Sequence, residues 1–140
     1  MIVVNIDPQV FGDPLATATV ARGFLLGVVL QNRALLRMKL VPPVYKAFLA
    51  GQVQFRNEPW AGKYEEFADA LTCMKRGWAD CDDLVPWRVA ELQEQGIKAG
   101  IKIYWRESAE RITYHVETRL PDGSVEDVAA YLGMVRKGVA

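Results

Sequence analysis

The hydrophobic pattern of this chain changes most sharply at Gly96. Before it, Leu84, Trp87, Val89, Ala90 and Leu92 recur at the three-and-four spacing of a helix that buries one face. After it, Ala99 to Trp105, Ile112 to Leu120 and Ser124 to Val128 read as strands, with a polar turn at Glu107 to Glu110 and a Pro-Asp-Gly turn at residues 121 to 123. Strands this close in sequence pair as an antiparallel meander. Helices first and sheet last is an α+β arrangement, in which a helix covers one face of the sheet. Gly96 itself suits the left-handed residue that follows a helix end.

The earlier chain is read the same way. Ile2 to Ile6 is a short β-type run stopped by Asp7-Pro8. Asp13-Pro14 is an N-cap followed by a proline in the first helical position, so a helix is predicted from about Leu15 to Met38. Its middle, Phe24 to Leu30, is apolar nearly all round, and it is expected to form the hydrophobic back of the fold, with part of its surface free to pack on another subunit. Pro42-Pro43 ends it, and the next twenty residues read as an irregular arm. Tyr64, Phe67, Ala68, Leu71 and Met74 predict a helix from about Lys63 to Met74, broken by Arg76-Gly77-Trp78. One domain is expected over residues 1–140, since ~100 to 200 residues is the usual domain size: a strand and helix over 1–41, and a core over 42–140.

Composition excludes several functions. A hydrophobic share of 51% argues against disorder, and seventeen basic residues balance seventeen acidic ones, so no overall field draws the chain to nucleic acid or an anionic membrane. The start of the chain lacks the features of a secretory signal, and the apolar run Gly23 to Leu30 is shorter than the ~20 residues a membrane-crossing helix needs. No membrane span is expected. Two cysteines eight positions apart make a disulfide framework improbable, leaving thiol chemistry open.

Cys81 is where that chemistry is expected. Pro86 places a helix start near Asp82, and the unpaired amides at a helix start favour a thiolate. Asp80, Asp82 and Asp83 oppose this by their charge, so an imidazolium partner is needed, and His115 is the sole histidine. Register decides whether His115 has an orienting acid. A three-residue loop with Gly123 left-handed pairs Leu120 with Ser124 and Glu117 with Asp127, which sets His115 diagonal to Asp127 on one face. A two-residue loop at Asp122-Gly123 instead separates them and leaves Glu126 or Glu117 as the acid. Cys73, on the apolar side of its helix, is expected to be core. With one histidine and two cysteines a zinc site lacks ligands, and N-capping and solvated charge explain the aspartates, so no metal and no cofactor is expected.

Ala79-Asp80-Cys81-Asp82-Asp83-Leu84, then Ala90-Glu91-Leu92 and Gly96-Ile97-Lys98-Ala99, resemble the core signature of the transglutaminase-like superfamily, which shares a papain-like fold. With Arg76-Gly77-Trp78 before and Pro86-Trp87-Arg88 after, and with Pro42-Pro43-Val44-Tyr45 and Arg56-Asn57-Glu58-Pro59 upstream, the chain is similar to small transglutaminase-like proteins of tailed bacteriophages and prophages. The resemblance covers roughly Pro42 to Met134. It implies Cys81 as nucleophile, His115 as base and Asp127 as orienting acid, with Trp78 or Trp60 as an oxyanion or cleft residue. His115 follows Cys81 by 34 residues and Asp127 follows His115 by 12, compatible with a compact member. Ala79 departs from the glycine usual at its place.

Acyl transfer from a peptide or protein amide is the function so implied, with water as the expected acceptor and an amine as the other. The alternatives are a non-enzymatic virion or assembly protein, with phage structural proteins or copies of itself as partners, and a cell-wall peptidase of the NlpC/P60 kind. Asp82-Asp83 stands where that last family usually has Ser-Gly. The expected location is the bacterial host cytoplasm or the phage particle.

Overall fold

The computed structural model describes residues 3–6, 13–56, 65–107 and 112–134. In chain order these form β1 (Val3–Ile6), α1 (Pro14–Arg37), α2 (Val44–Leu49), β2 (Gln54–Phe55), β3 (Glu65–Ala68), α3 (Ala70–Arg76), β4 (Trp78–Ala79), α4 (Cys81–Glu94), β5 (Gly100–Glu107), β6 (Ile112–Arg119) and β7 (Val125–Glu126), with a π-helical turn at Ala130–Met134. The fold is mixed α+β. Among the described residues there are three small sheets: β1 with β3 antiparallel, β2 with β4 parallel, and the antiparallel meander β5-β6-β7.

The first helix begins as its sequence dictates. The Asp13 side chain accepts from the Leu15 amide at 3.0 Å, and Pro14 occupies a position whose missing N–H costs nothing. Asn32, fully buried on α1, accepts from the Ala70 amide at 2.8 Å and so fixes the start of α3.

Residues 65 to 74 differ from the helix expected from about Lys63 to Met74, whose first two residues lie outside the described residues. Instead of one helix, Glu65–Ala68 is a strand against β1, and α3 starts only at Ala70. The spacing of Phe67, Ala68, Leu71 and Met74 fits a short strand followed by a short helix as well as it fits one long helix. Asp69 separates the two elements. Its side chain takes the Thr72 amide at 2.9 Å and the Thr72 hydroxyl at 2.7 Å, as an N-cap does. The arm after Pro43 is also more regular than expected, holding α2 and β2.

α4 is the wall shared by two apolar clusters. Leu84 and Trp87 enter one, with Val44, Ala47, Phe55, Cys73, Val128 and Ala129, while Val85, Val89, Ala90 and Leu92 enter the other, with Leu25, Val28 and Val29 of α1 and Ile101, Ile103 and Val116 of the meander. Trp87 is fully buried and its indole donates to the Pro42 carbonyl at 2.9 Å. Pro86 is the sixth residue of α4, past the first turn in which its missing amide would cost nothing, and removes the amide that would reach the Asp82 carbonyl.

α1 has two faces. Leu25, Val28, Val29 and Leu35 are inside, whereas Leu15, Leu26 and Leu30 are exposed at 63%, 45% and 66%. At 24 residues it is, among the described residues, the helix long and apolar enough to cross a membrane by length and composition.

Candidate functional site

The end of α4 that carries Cys81 is built around a guanidinium. Asp80 is the N-cap, and its carboxylate takes the Asp82 amide at 3.1 Å. Asp83 completes a capping box by taking the Asp80 amide at 3.2 Å, and it also takes the Ala68 amide at 2.9 Å. Arg76 donates to Asp83 at 2.6 Å and to Glu66, and its Nε meets the Trp78 carbonyl at 3.0 Å. The same guanidinium stacks 3.5 Å from the centre of the Trp78 ring. Burial first, and the charge of Asp80 second, push the Asp83 carboxyl upward against the pull of Arg76 and the two amides. The acidic cluster is therefore bound into the structure by capping and by Arg76.

Cys81 is the first residue of α4 and is half-buried, packed on the cluster that includes Val128 and Ala129. Its thiol lies 3.7 Å from Oδ1 of Asp82. Ala79, two residues before it, is completely buried in the β4 pairing with β2. Cys73 is fully buried, and burial first, then Asp83, pushes its thiol well up, which makes it unreactive. Trp78 carries Arg76 on its ring, and Trp60 lies outside the described residues.

The second group of expected residues sits on the meander. The hairpin takes the three-residue form: the Leu120 amide donates to the Ser124 carbonyl at 2.8 Å, Gly123 has φ +87°, and Thr118 pairs with Glu126. Continuing that register by one step pairs Glu117 with Asp127. His115 then meets Asp127 diagonally, Nε2 to Oδ2, at 3.0 Å. The other oxygen of Asp127 accepts the Ala130 amide at 3.0 Å, so the carboxylate is held from both sides. With Nε2 facing Asp127, Nδ1 is the ring nitrogen left for chemistry.

Glu117 was expected only as an alternative orienting acid in the other register, yet it joins the site in the register observed. Its Oε1 lies 3.6 Å from the same Nε2, and ligand atoms of His115, Glu117 and Asp127 all fall within 4.8 Å of one another. The signal was available in the i, i+2 spacing of His115 and Glu117, which sets both on one strand face. Beside them opens a pocket of about 520 Å³ lined by Tyr104, Trp105, Arg106, Tyr114, His115 and Glu117.

The structure brings His115, Asp127 and Glu117 together on one face of the meander. Val116 and Thr118 point to the other face, where they are buried against α4, and Arg88 of α4 grips Glu126 there at 2.8 Å. Cys81 belongs to the α4 side. β7 ends at Glu126, whose partner on β6 is Thr118, so His115 lies beyond the β6–β7 pairing.

The chain matches no family model, no curated protein and no solved structure.

Proposed function

We propose that this chain is a cysteine-dependent acyl-transfer protein of the transglutaminase-like, papain-like kind carried by tailed phages and prophages, acting on a peptide or protein amide through Cys81, His115 and Asp127. The observation that carries the reading is the 3.0 Å contact between His115 Nε2 and Asp127, in the register that a base and its orienting acid require. The chain after Glu126 runs into the cluster against which Cys81 packs. The reaction needs the imidazole of His115 to come within reach of the Cys81 thiol at the start of α4.

In that reaction the Cys81 thiol gives its proton to Nδ1 of His115 and the thiolate attacks the amide carbonyl. The oxyanion is met by the backbone amide of Cys81 at the helix start. The imidazolium returns the proton to the leaving amine as the C–N bond breaks, leaving a thioester. Water, deprotonated by His115, then releases the carboxylic acid and restores the thiol. Alkylation by iodoacetamide across pH tests this. Cys81 reacts as a thiolate below the ~8.5 of a free thiol, and His115→Ala returns it to ordinary behaviour. An ordinary profile that His115→Ala leaves unchanged contradicts the proposal.

A second reading has its own observation. The exposed Leu15, Leu26 and Leu30 of α1 suit a non-enzymatic virion or assembly protein that docks on other subunits. Sedimentation of the full chain with Leu26→Glu and Leu30→Glu tests it: dissociation of an assembly supports this reading, and an unchanged monomer removes it.

A further inference from the structure

We propose that His115, Glu117 and Asp127 form a binding site for a first-row divalent cation of the zinc type, with an open coordination position toward the aromatic pocket. Two carboxylates converge on one imidazole nitrogen. Nε2 carries at most one proton, and Asp127 at 3.0 Å is placed to take it. Glu117 at 3.6 Å is beyond hydrogen-bond range of that nitrogen, yet it points there with its side chain only 15% exposed. A neutral imidazole with two carboxylates makes a doubly negative, half-buried donor set, which a divalent cation neutralises and a single proton does not.

The distances suit such an ion. Zinc bonds of about 2.0 to 2.2 Å in a tetrahedron set neighbouring ligand atoms about 3.4 Å apart. The pairs here stand at 3.0 and 3.6 Å, and all three lie within 4.8 Å, so small side-chain rotations close the set. One nitrogen and two oxygens favour a first-row ion over calcium or magnesium, which prefer oxygen alone. Asp127 is already fixed by the Ala130 amide, which limits the ordering that binding must impose. Lys102, opposite Glu117 in the register, leans its ammonium over the Tyr104 ring at 5.0 Å. Three protein ligands leave a fourth position for water or a ligand donor, and the pocket of Tyr104, Trp105 and Arg106 gives that donor room.

The site does not depend on the thiol chemistry proposed above. A cation on Nε2 would displace the Asp127 hydrogen bond and take the base out of service, so occupancy would also inhibit any reaction that uses His115.

Calorimetric titration of the chelator-stripped full chain with zinc chloride tests the proposal, with the visible spectrum of the cobalt form as a second readout. One equivalent binds to the wild type and equally to Cys81→Ser. Glu117→Gln weakens binding about tenfold or more, with circular dichroism and thermal midpoint unchanged, and His115→Gln abolishes it. Absence of binding, binding that Glu117→Gln leaves intact, or binding that Cys81→Ser removes overturns the proposal. The last outcome points to the thiolate as the ligand, and the alkylation profile separately decides whether Cys81 is a nucleophile.

Discussion

Two polar clusters of this protein, the knot at the start of α4 and the trio on β6 and β7, hold similar residues in opposite circumstances. In the knot, Asp83 is completely buried and takes three donors, Arg76 and two backbone amides, while Arg76 spans Glu66, Asp83 and the Trp78 carbonyl. In the trio, His115 and Asp127 are each 29% exposed, and two carboxylates share one nitrogen beside an open pocket. Charge whose partners are all supplied within the fold holds elements together. Charge left partly in solvent, with more acceptors than protons, is available to a substrate or an ion. Cys81 sits between the two regimes, anchored by the first and in need of the second.

The comparison is broken most severely at Arg76. Arg76→Met leaves the Asp83 and Glu66 carboxylates buried without their cation and should cost about 3 to 5 kcal/mol in urea denaturation. A cost under 1 kcal/mol would mean the knot is not what anchors α4. Asp80→Ala removes the N-cap and should cost ~1 kcal/mol, while slowing Cys81 alkylation by fraying the helix start. An unchanged alkylation rate in that variant would separate the cap from the thiol.

Acid sharpens the contrast along α4. Hydrogen bonds from Arg37, then Arg33, draw Glu94 down to about 2 from an ordinary 4.5. A carboxylate held lower in the folded state contributes stability that is complete above about 4.5 and is lost as pH falls toward 2. Glu94→Gln should therefore flatten the acid limb of the stability curve, and a limb of unchanged slope would mean that the contacts between α1 and α4 do not depend on this carboxylate. His115→Gln, in the trio, should change stability by no more than about 0.5 kcal/mol while abolishing thiolate behaviour at Cys81. Destabilisation comparable to Arg76→Met would place His115 among the structural residues.

How far the sequence reaches is visible in the same two places. The His115–Asp127 pair was legible because local turn chemistry sets it: Pro121-Asp122-Gly123 selects the three-residue loop, the loop sets register, and register brings Asp127 to His115. The first helix was legible from Asp13-Pro14 for a similar reason. The knot was not, because it depends on β1 pairing with β3 and β2 with β4, pairings between segments distant in sequence that leave no local trace. Asp69 marked the break between β3 and α3, but apolar spacing of three and four masked it. Capping was expected of Asp80 to Asp83 and is found, but the solvated charge expected with it is not, since Asp80, Asp82 and Asp83 are all buried, and Arg76, the main partner, was seen only as part of a helix break.

The functional account rests on the imidazole of His115 reaching the sulfur of Cys81. As the chain has a single histidine, its ring protons are assignable without ambiguity in the nuclear magnetic resonance spectrum. A nuclear Overhauser cross-peak between the His115 ring proton Hε1 and the β-protons of Cys81, lost in Cys81→Ala, is the predicted result. Cross-peaks from that ring to Tyr104 and Asp127 alone, with none to Cys81, would contradict it.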